Sequence, residues 1–250
     1  MKIGVIGIGV VGTAICRGYA ELGHEVFKHD IKLNTSIEDV LNTDIIFLCL
    51  PTNSTKEGEC DTSIIERVIT KLKSLNYTGI IAIKSTIIPG TYNRLMTRFQ
   101  ELRICLVPEF LRELHAYDDF TKNHNVLVVG TNDLKVANKI IECHGNYPKS
   151  VKIITPQECE FVKYFSNVFK AYKTVFASSF AELCKKHNVN YSQILEVYKS
   201  EQVKETAYLK DYGGFGGMCL PKDTLALAKL AEDTDIDTFE FILKENTKYL

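Results

Sequence analysis

Residues 213–223 are the part of this chain best suited to covalent chemistry. They read GGFGGMCLPKD, so Cys219 stands between a glycine-rich loop and Pro221. Proline is favoured in the first turn of a helix, and a thiol at a helix N-terminus beside a lysine is biased toward the reactive thiolate. We therefore predict that Cys219 is a nucleophile, with a strongly depressed pKa, rather than an inert core cysteine.

The loop before Cys219 is predicted to bind a ligand through its backbone. Glycine carries no side chain, so its amide can approach a ligand closely. Lys222 and Asp223 follow in the first turn of the predicted helix and place a cation and a carboxylate next to the thiol. The loop residues are Gly213, Gly214, Phe215, Gly216 and Gly217.

A second group of glycines lies at the N-terminus, where GIGVVG at residues 7–12 follows an apolar strand and opens a helix predicted over 13–22. Gly7 permits the tight turn, Gly9 lets a pyrophosphate approach the helix amides, and Gly12 allows close packing. Asp30 follows the next strand, where a carboxylate binds ribose hydroxyls and repels a 2′-phosphate. The pattern predicts a dinucleotide site that prefers NAD to NADP, completed by Val10 and Val11.

The elements that position these residues alternate between strand and helix. Apolar strands are predicted at 2–6, 24–27, 45–50, 80–83, 104–107, 126–129 and 151–154, with helices at 62–75 and 134–143. Such alternation predicts an α/β fold with a doubly wound parallel sheet of the Rossmann type. Ligands of these sheets bind at the carboxyl ends of the strands, where polar loops lie at 51–53, 84–86 and 108–113.

The pattern changes after Pro156. A helix predicted over 157–187 is apolar on most of its faces, which indicates burial in something larger than its own domain. We predict a homodimer with this helix at its centre. Shorter helices are predicted at 191–199, 222–230 and 238–249. The expected organisation is a dinucleotide-binding domain at 1–156 and an all-α central domain at 157–250.

Composition excludes several classes of partner. The net charge is −1 with acidic and basic residues mixed, so neither nucleic acid nor a membrane surface is an expected partner. The eight cysteines form no Cys-x-x-Cys pair, and neither they nor the six histidines show metal-ligand spacing. Because a strand is predicted within two residues of the N-terminus, we expect no signal peptide and a cytoplasmic location.

The chain resembles the UDP-glucose/GDP-mannose dehydrogenase family over nearly its whole length. Six segments occur in the family's order, namely GIGVVG, LCLPTN, IKSTIIPGT, VPEFLRE, ECEFVKYFSNVFKAYK and GGFGGMCLPKD. The resemblance implies NAD-dependent oxidation of a nucleotide-sugar C6 alcohol to the carboxylate, with a covalent intermediate on Cys219. A UDP-sugar is the expected substrate.

The resemblance also implies roles for individual residues. Lys163 and Asn167, one helical turn apart, would stabilise oxyanions, while Asp223 would position or deprotonate water and Glu109 would be a second base. Phe110, Leu111, Arg112, Lys222 and the glycine-rich loop would bind the nucleotide sugar. Thr52, Thr86 and Glu113 would line the nicotinamide side.

One departure from the family puts the substrate site in doubt. Full-length relatives carry a third, C-terminal domain that binds the substrate nucleotide, whereas this sequence ends at Leu250. Three interpretations follow: a minimal dehydrogenase, half of a split enzyme whose partner chain supplies the nucleotide-binding domain, or a non-catalytic NAD-binding module that forms dimers. A two-domain hydroxyacid dehydrogenase is a further alternative, but it would have no use for Cys219.

Overall fold

The computed structural model describes residues 1–200, 208–209 and 213–250. Its contacts divide the chain into two compact units. The first comprises Met1–Thr52 and Asp61–Lys163, and the second comprises Asn53–Cys60 and Tyr164–Leu250. The expected domain boundary at residue 156 stays a prediction. The division by contacts falls between Lys163 and Tyr164, inside a helix, and it assigns the short segment Asn53–Cys60 to the second unit.

A sheet of seven strands forms the centre of the first unit, in the order β2-β1-β3-β4-β5-β6-β7. The order reverses at β1, which pairs with both β2 and β3 and creates the switch point where ligands of such sheets bind. The strands are β1 (Lys2–Ile6), β2 (Glu25–His29), β3 (Ile45–Leu48), β4 (Ile80–Ile83), β5 (Arg103–Leu106), β6 (Leu127–Gly130) and β7 (Val151–Ile154).

The prediction of a parallel sheet is confirmed with one correction, since β5 and β6 pair antiparallel through Leu106 and Gly130. The segment between them contains a 3-10 turn (Glu113–His115) and a helix of six residues, shorter than the helices that cross between the parallel strands. Alternation of strands and helices along the sequence does not reveal this reversal. The carboxyl ends of β1 to β5 still share one edge of the sheet.

Five helices flank the sheet: α1 (Val10–Glu21), α2 (Ser63–Ser74), α3 (Thr91–Arg98), α4 (Ala116–Thr121) and α5 (Leu134–His144). Helix α1 begins three residues before its predicted start, inside the glycine motif. Helices α3 and α4 were not predicted. At the N-terminus of α3 the backbone N–H groups of Gly90 and Tyr92 donate to the distant carboxylate of Glu160, at 2.8 and 2.6 Å. Local sequence contains no sign of such a contact.

Each face of the sheet buries an apolar cluster. One face packs β3 and β4 residues against α2 and α3, and the other packs them against α1 and α5. Tyr19 of α1 stacks on Phe47 of β3, with ring centroids 5.1 Å apart. Both side chains are fully buried, so these clusters fix α1, and therefore the glycine motif at its start, against the sheet.

In its described residues the second unit consists of helices, their connecting loops and one hairpin. It contains α7 (Tyr191–Ser200), α8 (Leu220–Leu230), α9 (Thr238–Asn246) and most of the 31-residue helix α6 (Pro156–Lys186). Helix α8 packs against α9. The hairpin at 53–60 is closed by a bridge between Ser54 and Cys60. Across the described ranges, no helix combines the length and apolar character needed to span a membrane.

One fully buried and one partly buried histidine in the first unit make its stability depend on pH. His144 is fully buried, donates through Nδ1 to the Ile140 carbonyl at 2.7 Å and accepts at Nε2 from the Tyr19 hydroxyl at 3.0 Å. Burial, then the Lys84 charge, lowers the pKa of His144 well below 6.5 and that of His124 to about 4. The unfolded chain therefore binds more protons than the folded chain at pH values below 6.5.

We expect the free energy of unfolding to be highest above pH 6.5 and to fall as the pH drops from 6.5 toward 4. Each histidine contributes at most about 1.4 kcal/mol per pH unit. Urea titrations at several pH values measure this slope. His124→Gln, which removes one titrating group, should make it shallower, and an unchanged slope between pH 6.5 and 5 would contradict the assignment.

Candidate active site

The glycine motif forms a turn in which side chains would clash. A Cβ on Gly7, whose φ is +94°, would lie 2.4 Å from the Cys49 carbonyl oxygen, and one on Gly12 would lie 1.9 Å from the Gly7 oxygen. A Cβ on Gly9, by contrast, would meet no atom within 4 Å. Gly9 precedes Val10, the first residue of α1, so the amides at this helix start are open to a ligand.

Asp30 links the glycine turn to the end of β2. Its carboxylate accepts from the Lys32 N–H at 2.8 Å and from the Ile8 N–H at 2.7 Å. These two backbone hydrogen bonds, above all the one from Lys32, lower the pKa of Asp30 and keep it ionised. A fixed anion beside an open helix start fits a dinucleotide whose pyrophosphate meets α1 and whose ribose meets Asp30. Val10 and Val11 lie in the first turn of α1.

Two loops at the carboxyl edge of the sheet are joined by hydroxyl groups. The Thr52 hydroxyl donates to the Thr86 carbonyl at 2.7 Å, which brings these two predicted site residues together. Ser85 lies in the polar loop predicted at 84–86, but it was not predicted as a site residue. Its hydroxyl accepts from the Leu50 N–H at 2.9 Å and donates to the Leu50 carbonyl at 2.8 Å. The loops that follow β3 and β4 are therefore held as one surface.

Lys163 and Glu109 form a shielded ion pair in the first unit. The Lys163 ammonium donates to the Glu109 backbone carbonyl at 2.7 Å and to its carboxylate at 2.9 Å. The second carboxylate oxygen accepts from the Leu111 N–H at 2.6 Å. The Lys163 nitrogen also lies 5.7 Å from the centre of the Phe110 ring. The sequence segment VPEFLRE thus surrounds one buried ammonium group.

Arg112 is held by a residue that the sequence did not single out. Its guanidinium donates through Nε and Nη2 to the two carboxylate oxygens of Asp119, at 2.9 and 2.7 Å. The side chain of Arg112 remains 60% exposed, while that of Asp119 is 9% exposed. Glu113 begins the 3-10 turn and is exposed. An aspartate seven residues after an arginine is not a recognisable motif, so only the folded turn reveals the pair.

Cys219 is the N-cap residue of α8 in the second unit. Asp223, in the first turn, donates its backbone N–H to the Cys219 carbonyl at 2.9 Å. The Asp223 carboxylate is almost fully buried and accepts from the Asn167 amide and from the Lys222 ammonium, both at 2.6 Å. Both carboxylate oxygens are therefore occupied, and they fix the two side chains that donate to them.

The glycine-rich loop uses backbone conformations that favour glycine. Gly213, Gly214 and Gly217 have φ values of +70°, +110° and +77°. Between them Phe215 is buried, and its backbone N–H and carbonyl both bond to the side chain of Asn246. Asn246 was not predicted, because nothing in its local sequence indicates contact with a loop 31 residues away.

Comparison with known proteins places both parts of the chain in one family. Residues 28–147 match the NAD binding domain, and residues 157–247 the central domain, of the UDP-glucose/GDP-mannose dehydrogenase family. The UDP-glucose 6-dehydrogenase of Rickettsia prowazekii is 32% identical, over 98% of this chain and 67% of that protein. The chain belongs to the UDP-glucose/GDP-mannose dehydrogenase family. Asp30 therefore lies in the matched NAD binding domain, and the glycine turn precedes the matched residues in the same unit.

Other members of the family are similar over the same part of their length. The UDP-glucose 6-dehydrogenase of Haloferax volcanii is 29% identical, over 92% of this chain and 65% of that protein. The structure of a UDP-glucose dehydrogenase from Pyrobaculum islandicum superposes with a TM-score of 0.89 at 26% identity, covering 98% of this chain and 68% of that one. The chain thus spans about two thirds of the length of these relatives.

The cysteines of this dehydrogenase-family chain differ sharply in environment. All eight lie in the described residues, and none of them is in a disulfide. Cys219 is the only exposed one among them. Burial raises the pKa of Cys16 to about 11 and of Cys49, Cys143 and Cys159 to about 12. Burial likewise raises the pKa of Cys105. These five thiols are protonated and shielded at neutral pH, whereas Cys219 is accessible at a helix start.

We expect iodoacetamide at neutral pH to alkylate Cys219 before any other cysteine. The thiolate is the reacting form, and the exposed N-cap position of Cys219 favours both access and ionisation. Peptide mass spectrometry of briefly treated, folded protein measures the order of labelling. Cys219→Ala should remove the fast-labelled site and leave the slow ones unchanged. Labelling of another cysteine first would contradict the nucleophile assignment.

Proposed function

We propose that this chain oxidises the C6 alcohol of a nucleotide sugar, with a UDP-sugar as the favoured substrate class, to the carboxylate. The observation that carries the proposal is Cys219, an exposed thiol at the N-cap of α8, one helical turn before a buried carboxylate that orders Lys222 and Asn167. Family membership supports the same activity, since the named relatives are UDP-glucose 6-dehydrogenases. NAD, when bound, accepts a hydride in each of the two oxidations.

The residues that would hold NAD lie in the first unit. Gly7, Gly9 and Gly12 clear the space for its pyrophosphate at the start of α1, and Asp30 accepts from a ribose. Thr52 and Thr86, joined by their hydrogen bond, form the surface that would face the nicotinamide, together with Glu113. The charge on Asp30 disfavours a 2′-phosphate, so the site selects NAD over NADP.

Cys219 makes the second oxidation feasible. The first oxidation gives an aldehyde. An aldehyde does not readily give up a second hydride until a nucleophile has added to its carbonyl carbon. The Cys219 thiolate adds to the aldehyde carbon and the oxygen takes a proton, giving a thiohemiacetal. Loss of a hydride and a proton from this adduct gives a thioester. Water then attacks the thioester carbon, the C–S bond breaks, and the acid and the Cys219 thiolate are released.

The Lys163 ammonium supplies a positive charge and the Asn167 amide supplies the positive end of a dipole. Both would stabilise the oxyanions of these steps. Each is held by its own carboxylate, Lys163 by Glu109 and Asn167 by Asp223. Because Asp223 is almost fully buried, whereas the Glu109 side chain is 15% exposed, we assign Asp223 the ordering of Asn167 and Lys222 rather than removal of a proton from water. Glu109 remains the candidate base for thioester hydrolysis.

The remaining residues of the segment after β5 would bind the sugar nucleotide. Phe110 and Leu111 present backbone groups next to the Lys163–Glu109 pair, and Arg112 presents an exposed guanidinium that Asp119 holds in place. In the glycine-rich loop Gly216 and Gly217 offer open backbone amides, while Gly213, Gly214 and Phe215 form its packed part, and Lys222 adds a cation near the loop. We propose a cytoplasmic location for this activity, since its substrate and cofactor are found there.

A turnover panel tests the proposed reaction. UDP-glucose, UDP-N-acetylhexosamines and GDP-mannose are each incubated with the full chain and NAD, and NADH release is followed by absorbance. One of them should yield two NADH per sugar. Cys219→Ala should lose the second oxidation, because no thiol remains to form the adduct. Cys219→Ser should accumulate an ester that hydrolyses slowly.

The matched control is Cys16→Ala, which removes a partly buried thiol and should leave both oxidations intact. Complete conversion to the acid by Cys219→Ala would exclude the covalent mechanism. The chain could also bind NAD without turning over any sugar nucleotide. If turnover then appears when a chain that supplies a nucleotide-binding domain is added, the split-enzyme alternative is favoured.

We also propose that two copies of the chain associate through α6. Six large apolar side chains of its second-unit portion are exposed along one stripe. They recur after 4, 3, 4, 4 and 3 residues, a spacing near 3.6 that keeps them on one straight face. A stripe of this kind is self-complementary across a two-fold axis, which suits a homodimer. Its members are Phe165, Phe169, Tyr172, Phe176, Phe180 and Leu183.

We expect light scattering of the full chain at micromolar concentration to give the mass of a dimer. Phe169→Glu combined with Phe176→Glu should give a monomer, because two charges would have to be buried in each copy of the stripe. Phe241→Glu on α9, where an equally exposed phenylalanine lies off the stripe, should remain a dimer. A monomeric mass for the unmodified chain would contradict this assembly.

A further inference from the structure

Asn246 of α9 holds the centre of the glycine-rich loop at residues 213–217. Its side-chain oxygen accepts from the Phe215 backbone N–H at 2.7 Å, and its side-chain nitrogen donates to the Phe215 carbonyl at 2.9 Å. The pair satisfies both backbone groups of a buried residue, as a neighbouring β-strand would. Asn246 is itself only 4% exposed, so loss of either bond would leave a polar group unpaired in the interior.

The clamp divides the loop into a packed half and an open half. A Cβ on Gly214 would lie 3.0 Å from the Asn246 side-chain oxygen and 3.2 Å from the Tyr249 Cβ, so this half lies closely against α9 and the residues after it. A Cβ on Gly216 or Gly217 would meet nothing within 4 Å. Met218 is 76% exposed. The open half therefore presents bare backbone to solvent and leads directly to Cys219.

The same helix supports the thiol. Helix α9 packs against α8, whose N-cap residue is Cys219. Three residues lie between Phe215 and Cys219, so their Cα atoms are at most about 14 Å apart when the chain is fully extended. By fixing Phe215, Asn246 fixes the start of this short span, while the packing of α8 on α9 fixes its end. The backbone of Gly216 and Gly217 is thus confined from both sides.

We propose that Asn246 is a positioning residue for nucleotide-sugar oxidation: it holds the open half of the loop as a preformed backbone surface that orients the sugar nucleotide toward Cys219. This inference rests on the proposed function. The amide is required because it both donates and accepts. An aspartate would still accept from the Phe215 N–H but would set a charge against the carbonyl, and a leucine would leave both groups unpaired.

The test compares Asn246→Leu and Asn246→Asp with Tyr249→Phe in the full chain. Tyr249→Phe is the matched control, because it removes the hydrogen bond between the Tyr249 and Ser179 hydroxyls in the same C-terminal segment and leaves the Phe215 clamp intact. Three quantities are measured: the melting temperature, the amide hydrogen exchange of residues 215–217, and KM and kcat for the sugar nucleotide that the turnover panel identifies.

Asn246→Leu should accelerate exchange of the Phe215 amide by about tenfold or more, since the hydrogen bond that protects this N–H is lost. KM should rise by about tenfold when it is measured well below the melting temperature of each variant. Asn246→Asp should lie closer to the unmodified chain than Asn246→Leu, because it retains the bond from the Phe215 N–H.

Two other outcomes are informative. If exchange and KM change no more in the Asn246 variants than in Tyr249→Phe, the side chain merely stabilises α9 and the proposal is overturned. If no sugar nucleotide is turned over but exchange at residues 215–217 accelerates only in the Asn246 variants, the loop clamp is supported and the proposed function fails. The exchange measurement needs no substrate, so the two failures are distinguished.

Discussion

Carboxylates that have been removed from water hold the side chains of the candidate site. A buried carboxylate is stable only if charged or polar groups satisfy it. In the first unit Glu109 meets this requirement with the Lys163 ammonium and the Leu111 amide. In the second unit Asp223 meets it with Asn167 and Lys222. Each carboxylate thereby fixes a group that could stabilise negative charge in a reaction.

The same constraint extends to residues farther from the chemistry. Glu160 is buried, and burial raises its pKa, yet it accepts two backbone N–H groups at the start of α3. Asp119 is nearly buried and receives both arms of the Arg112 guanidinium. Breaking such a pair leaves an uncompensated polar group, so these contacts resist rearrangement. Side chains that must act at fixed distances are therefore attached to parts of the fold that move little.

The two units contribute different kinds of chemistry. The first carries the glycine turn, Asp30 and the joined loops after β3 and β4, which lie at the switch point of the sheet and which we propose as the NAD surface. The second carries an accessible thiol on a helix N-cap and a loop of bare backbone. Thiols elsewhere in the chain have pKa values raised by burial, so Cys219 is the accessible thiol on which the proposed chemistry rests.

The sequence by itself determined the local features of this protein. Apolar runs located all seven strands, and the glycine motif with Asp30 predicted the NAD site, because period and turn chemistry are local properties. Tertiary structure alone decided which distant residues meet. The antiparallel pairing of β5 with β6, Glu160 at the start of α3, Asp119 on Arg112 and Asn246 on Phe215 leave no local signal. Each joins groups far apart in the chain or across a turn, and only the folded backbone brings the donors and acceptors within hydrogen-bonding distance.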